Sequence, residues 1–113
     1  MEKIVYSNMI DLLLEYGNKT ESEIIDSAIE RFGFPRLELE HNIMPLLAFK
    51  KNAGYIEKYE SDGRFHLLDI DFSSGIGRGC FTKFLGESPL CLDNPHIKRL
   101  KQAFEDRGLI NLK

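Results

Sequence analysis

Phe49-Lys50-Lys51-Asn52-Ala53-Gly54-Tyr55-Ile56-Glu57-Lys58, followed after three residues by Asp62-Gly63-Arg64-Phe65, is the stretch on which the fold turns. It opens as the end of a helix. Lys50 and Lys51 suit the negative end of the helix dipole, and Gly54 suits the left-handed exit. It then becomes strand: Tyr55–Glu60 and Arg64–Ile70 are rich in aromatic and branched residues, and Ser61-Asp62-Gly63 supplies a turn between them. In such a hairpin Tyr55, Glu57 and Tyr59 share one face, and Ile56 and Lys58 share the other.

Working upstream, Arg36 to Ala53 reads as a helix, apolar at Leu39, Ile43, Leu46, Leu47 and Phe49. Pro45 interrupts it. A proline ring clashes with the carbonyl four residues back and removes a hydrogen bond, costing about 3 kcal/mol in an undisturbed helix. A kink, or two short helices meeting at Pro45, is the expectation. Before it, Thr20 and Glu23 form a capping box that starts a second helix. Glu21, Glu23 and Asp26 sit near its positive end. Ile25, Ala28, Ile29 and Phe32 form its inward stripe, Gly33 fits the left-handed cap, and Phe34 is expected to fold back on Ile29 ahead of Pro35. A first helix near Lys3–Tyr16 carries Val5, Met9, Leu12, Leu13 and Tyr16 at helical spacing, widened by Ile10 and Leu14. So broad an apolar face implies packing on more than one side, and a homodimer joined through this helix or the C-terminal extension is an expectation.

Downstream, residues 71–93 read as an irregular connector containing the glycine loop Ser73-Ser74-Gly75-Ile76-Gly77-Arg78-Gly79. Asn94-Pro95 restarts a helix, with Ile97, Leu100, Ala103 and Phe104 inward and Gly108 at its end. Leu109–Leu112 is then a short strand or a docked tail. The whole chain, residues 1–113, is of a size that builds one core and reads as a single domain.

The order is helix, capped helix, tight turn, helix ending in Ala53-Gly54-Tyr55-Ile56, then a charged hairpin with Asp62-Gly63 at its tip. It resembles the winged-helix (winged helix-turn-helix) superfamily of small DNA-binding modules over Met1–Ile70. The resemblance implies an α+β fold: a winged-helix-like three-helix core with a β-hairpin wing, to which residues 94–113 add a C-terminal helical extension. It also implies double-stranded DNA as partner and a role as a transcriptional regulator. In such a module the third helix puts polar side chains at base edges, while the wing and helix ends touch phosphates. The residues so placed are Arg36, His41, Asn42, Lys50 and Lys51 on the helix, and Lys58 and Arg64 in the wing. Arg78 follows in the glycine loop. Asn42 would pair with adenine and Arg36 with guanine or a phosphate.

Charge opposes part of that reading. The net charge is −3, and Met1–Gly77 holds eight Lys or Arg against fourteen Asp or Glu. The positive excess belongs to the last third, where Arg78, Lys83, Lys98, Arg99 and Lys101 fall. Glu38 and Glu40 lie on the reading helix, and Glu57, Glu60 and Asp62 crowd the wing, where several carboxylates oppose phosphate binding. The alternative is therefore an acidic adaptor or inhibitor built on the same scaffold, taking a basic protein partner. Tyr55, Tyr59, Phe65, Phe81 and Phe84 would be its anchors if exposed.

Composition bounds the remaining classes. A chain 42% hydrophobic and 29% charged is ordinary for a globular protein. No run nears the roughly 18 apolar residues of a membrane span, and Met1-Glu2-Lys3-Ile4 does not open a signal peptide, so no membrane partner and a cytoplasmic location are expected. Cys80 and Cys91 read as small core residues of a reducing compartment. His41, His66 and His96 are scattered without metal-ligand spacing, and Asp69 and Asp71 have no evident base beside them. A non-enzyme without metal or cofactor is the expectation. Where the basic side chains fall once folded decides between DNA and protein.

Overall fold

A computed structural model describes residues 3–68 and 95–106. Three helices come first: α1 (Lys3–Glu15), α2 (Glu21–Phe32) and α3 (Arg36–Ala53). An antiparallel hairpin of β1 (Ile56–Lys58) and β2 (Phe65–Leu67) follows, and then α4 (Pro95–Asp106). The architecture is α+β and winged-helix-like, with α4 packed as a helical extension against α2 and α1. The connector at 71–93, its Arg78, both cysteines, the Asn94 cap and the tail at 109–112 lie outside the described residues.

Every residue of α1 from Val5 to Leu14 is buried, because the helix meets α2, α3, β2 and α4. The breadth of its apolar surface is thus accounted for within the chain. No residue between Val5 and Leu14 is exposed, so the width of this face does not itself call for a second subunit.

Local chemistry shaped α2 as its sequence implied. The Thr20 hydroxyl accepts the Glu23 amide at 3.2 Å, and the Glu23 carboxylate accepts the Thr20 amide at 3.0 Å. Gly33 takes φ 77°, and its amide reaches the Ile29 carbonyl. Phe34 goes elsewhere than expected: its ring meets Tyr6 at 5.9 Å, Phe32 at 6.3 Å and His96 at 5.3 Å between centroids. The corner after α2 is filled by side chains from α1 and α4, and that aromatic cluster captures Phe34. His96 is held there by a 2.9 Å contact between Nδ1 and the Phe32 carbonyl.

Pro45 breaks nothing; α3 is one helix of 18 residues across it. Pro45 and His41 both lie on the exposed side, so the His41 carbonyl that loses its donor is beside water. Gly54 (φ 85°) then ends α3, and the Tyr55 amide closes on the Lys50 carbonyl at 2.9 Å, turning the chain into the hairpin. Glu57 faces His66 and Lys58 faces Phe65 across the strands. At the tip, the Asp62 carboxylate accepts the Arg64 amide at 2.9 Å. One pairing was not foreseen: Lys19, between α1 and α2, exchanges both backbone hydrogen bonds with Phe65 (3.3 and 2.7 Å), so the hairpin is tied to the first loop.

The core also contains an ion pair. Lys50 Nζ stands 2.9 Å from Asp11 Oδ1, with the lysine side chain fully buried and that of the aspartate nearly so. This corrects the placement of Lys50 on a DNA-contacting surface. Asp11 lies within the buried run Val5–Leu14 of α1, and the cation reaching in from α3 offsets its desolvation. Lys50→Met is expected to cost about 3–5 kcal/mol in urea unfolding, because Asp11 loses its cation. Asp11→Leu/Lys50→Met is expected to recover most of that loss; a single substitution costing under about 1 kcal/mol would contradict the buried pair.

Gly33 and Gly54 supply a second comparison. A Cβ on Gly33 would come within 3.2 Å of His96 Nδ1, whereas one on Gly54 meets nothing within 4 Å. Alanine at either position carries the left-handed penalty of roughly 1–2 kcal/mol. Gly33→Ala alone is also expected to loosen α4, read as faster amide exchange along residues 95–106.

Candidate interaction surface

The inward row of α3 is Leu39, Ile43, Leu47 and Lys50, all buried. Steps of four, four and three residues keep one face of a helix toward the core. Phe49, read from sequence as inward, is rotated about 100° from Lys50 and lies half exposed. The correction follows from the ion pair: Lys50 takes the inward position, so Phe49 turns out. With it come Leu37 at 67% and Met44 at 54% exposure, along with exposed Pro45 and Ala48. The outer side of α3 thus carries Leu37, Met44, Pro45, Ala48 and Phe49 among the exposed polar residues Glu38, Glu40, His41, Lys51 and Asn52.

The cations expected at DNA are mostly occupied. Arg36 is exposed but bonded to Asp26 at 2.7 Å, with Glu40 at 4.0 Å. Arg64 lies 3.6 Å from Glu23 and 3.5 Å from the Asn18 carbonyl. The Asn42 amide donates to the Glu38 carbonyl of its own helix at 2.7 Å. His41 is exposed on the outer face. Lys51 and Lys58 are exposed and belong to no ion pair among the described residues, although Lys58 Nζ stands 5.6 Å from the centre of the Phe65 ring. These two flank a groove between the end of α3 and the hairpin, which Gly54, Ile56, Glu57 and Leu68 also line. Arg78 lies outside the described residues.

Of the aromatic anchors, Tyr59 is the one exposed among the described residues. Phe65 is buried, Tyr55 is half-buried with Lys50 Nζ 5.9 Å from its ring centre, and Tyr59 leans on His66 at 3.6 Å between centroids. Phe81 and Phe84 are outside the described residues. The other exposed large apolar groups among the described residues, Leu37, Met44, Phe49 and Leu68, were not marked by the sequence. Helical arithmetic carried from Leu39 through Ile43 to Lys50 was the available signal.

Tyr6 connects the core to this surface. Its hydroxyl donates to Glu38 Oε2 at 3.2 Å. Its pKa is pushed up to about 12, by burial first and then by the charge and hydrogen bond of Glu38. Elsewhere, the amide hydrogen bond from Thr20 holds the Glu23 carboxyl below its usual range.

The architecture defines a class, a winged-helix-like α+β domain with a helical extension. No protein-family model, no curated protein and no solved structure matches the chain. Among the described residues no helix is long and apolar enough to cross a membrane.

The raised Tyr6 pKa carries a sign. The folded state favours the neutral phenol, so the stability it confers is intact below the unfolded value near 10 and is lost as pH rises toward 12. In a spectrophotometric titration, the phenolate component near 12 is expected to vanish in Tyr6→Phe. A Tyr6 that ionises near 10 would contradict the buried hydroxyl.

Proposed function

We propose that this chain is a protein-recognition module of winged-helix type, binding another protein chain through the outer face of α3. The observation that carries the reading is the exposure of Leu37, Met44 and Phe49 on the helix face that a DNA reader would turn toward base edges. Covering a large apolar side chain is worth about 1.5–3 kcal/mol. That gain needs an apolar counterface, which a protein offers and a phosphate backbone does not. Occupation of Arg36 and Arg64 by carboxylates, and of Lys50 by the core, supports the same conclusion. Membership of the winged-helix superfamily is part of this proposal. The order of elements and the Lys19–Phe65 bridge, which joins the first loop to the wing, support it.

A second reading, a DNA-binding regulator, is favoured by Lys51 and Lys58, which belong to no ion pair among the described residues and line the helix–hairpin groove. Anisotropy of a labelled mixed-sequence duplex separates the two. The protein-recognition reading expects no saturable binding at low salt, where phosphate attraction is strongest. It also expects a photo-crosslinking residue at position 44 to form a protein adduct in cells, and one at the exposed Ser22 to form none. Duplex binding that falls steeply with salt and is lost in Lys51→Ala/Lys58→Ala would overturn it in favour of DNA.

A further inference from the structure

We infer that the chain seated on this face is a second copy of the same protein, its α3 packed antiparallel against the first. The inference rests on the protein-recognition reading and names its partner. It is carried by the way the apolar and charged side chains are distributed along one helix.

In an antiparallel pair related by a two-fold axis, residues equidistant from the axis and on the same flank meet. Let the axis pass between Pro45 and Leu46. Glu40 then lies level with Lys51 of the second copy, and each Lys51 with the other Glu40. Both residues are exposed, and both fall on the same flank of α3, because eleven residues are close to three turns. The same axis sets Leu37 level with Gly54 of the second copy, each about 13 Å from the axis along its helix. Gly54 is where α3 meets the groove lined by Ile56 and Leu68, and there is open space around it. Leu37, the most exposed of the large apolar side chains among the described residues, thus comes level with a groove that Ile56 and Leu68 line together with Lys51, Glu57, Lys58 and Glu60. Near the axis, Met44 and Ala48 form the seam beside Pro45, and all three are exposed in the single chain.

One register pairs each Glu40 with a Lys51 of the second copy and sets each Leu37 level with the groove. A parallel pair would set Glu40 against Glu40 and Lys51 against Lys51, and would align rather than oppose the two helix dipoles. The seam spans the roughly 27 Å of α3 and adds a groove contact at each end.

Sedimentation equilibrium over a wide concentration range tests the inference, with circular dichroism confirming that each variant is folded. The wild type is expected to dimerise reversibly. Met44→Glu, on an exposed position, is expected to weaken the dimer roughly a hundredfold by placing a carboxylate against the apolar side chains of the seam. Glu40→Lys is expected to weaken it about tenfold through like-charge opposition, and Glu40→Lys/Lys51→Glu is expected to restore it. A monomer at every concentration, a dimer indifferent to Met44→Glu, or a charge swap that fails to restore association would each overturn the inference. A position-44 adduct to a different protein would also overturn it while leaving protein recognition intact. Loss of protein recognition itself is read separately, from the duplex titration.

Discussion

The contact between Asp11 and Lys50 sets the rest of the molecule. It joins the centre of the most buried helix to the last full turn of α3, across 39 positions of sequence. Two charges out of water are costly, and a close pair is the condition under which both remain. That condition fixes the rotation of α3 about its axis. Once Lys50 points inward, Leu39, Ile43 and Leu47 follow on the same face, and Leu37, Met44 and Phe49 must face out. The carbonyl of the same lysine receives the Tyr55 amide, so the turn into the hairpin is built on the residue that anchors the helix.

The hairpin is positioned from two sides. Gly54 releases it from α3, and the Lys19–Phe65 bridge ties β2 to the loop before the capped α2. The two arginines aimed by sequence at a nucleic acid serve this scaffold instead: Arg36 clips the start of α3 to α2, and Arg64 clips the wing to the start of α2. Exposed pairs of this kind contribute little energy each. Their consequence here is electrostatic, since they lower the free positive charge beside the helix–wing surface.

What was legible in the sequence was local. Thr20 with Glu23, Gly33, Gly54 and the Asp62-Gly63 tip act within a few residues of chain, and each formed as its chemistry demands. The three-helix core followed by a hairpin was legible for the same reason. What was not legible depended on distant partners. Lys50 resembled a surface cation until Asp11 was placed beside it, and Phe49 was assigned inward for want of that partner. Pro45 pointed to a kink or to two short helices; α3 is one helix across it, the orphaned carbonyl lying on the exposed side. Among the candidate site residues, Arg36, His41, Asn42 and Lys51 do lie along the open side of α3, whereas Lys50 does not. The apolar stripe beside them was hidden by the assumption that large apolar side chains face inward.

The account depends on which way α3 is turned, and the two adjacent lysines report it directly. Acylation of the native protein with a lysine-selective reagent, followed by peptide mapping, measures the rate at each. Lys51 is predicted to react as a freely exposed amine, and Lys50 only when the protein unfolds. Comparable native-state rates at Lys50 and Lys51 would contradict the buried ion pair, and with it the outward face on which the proposed function stands.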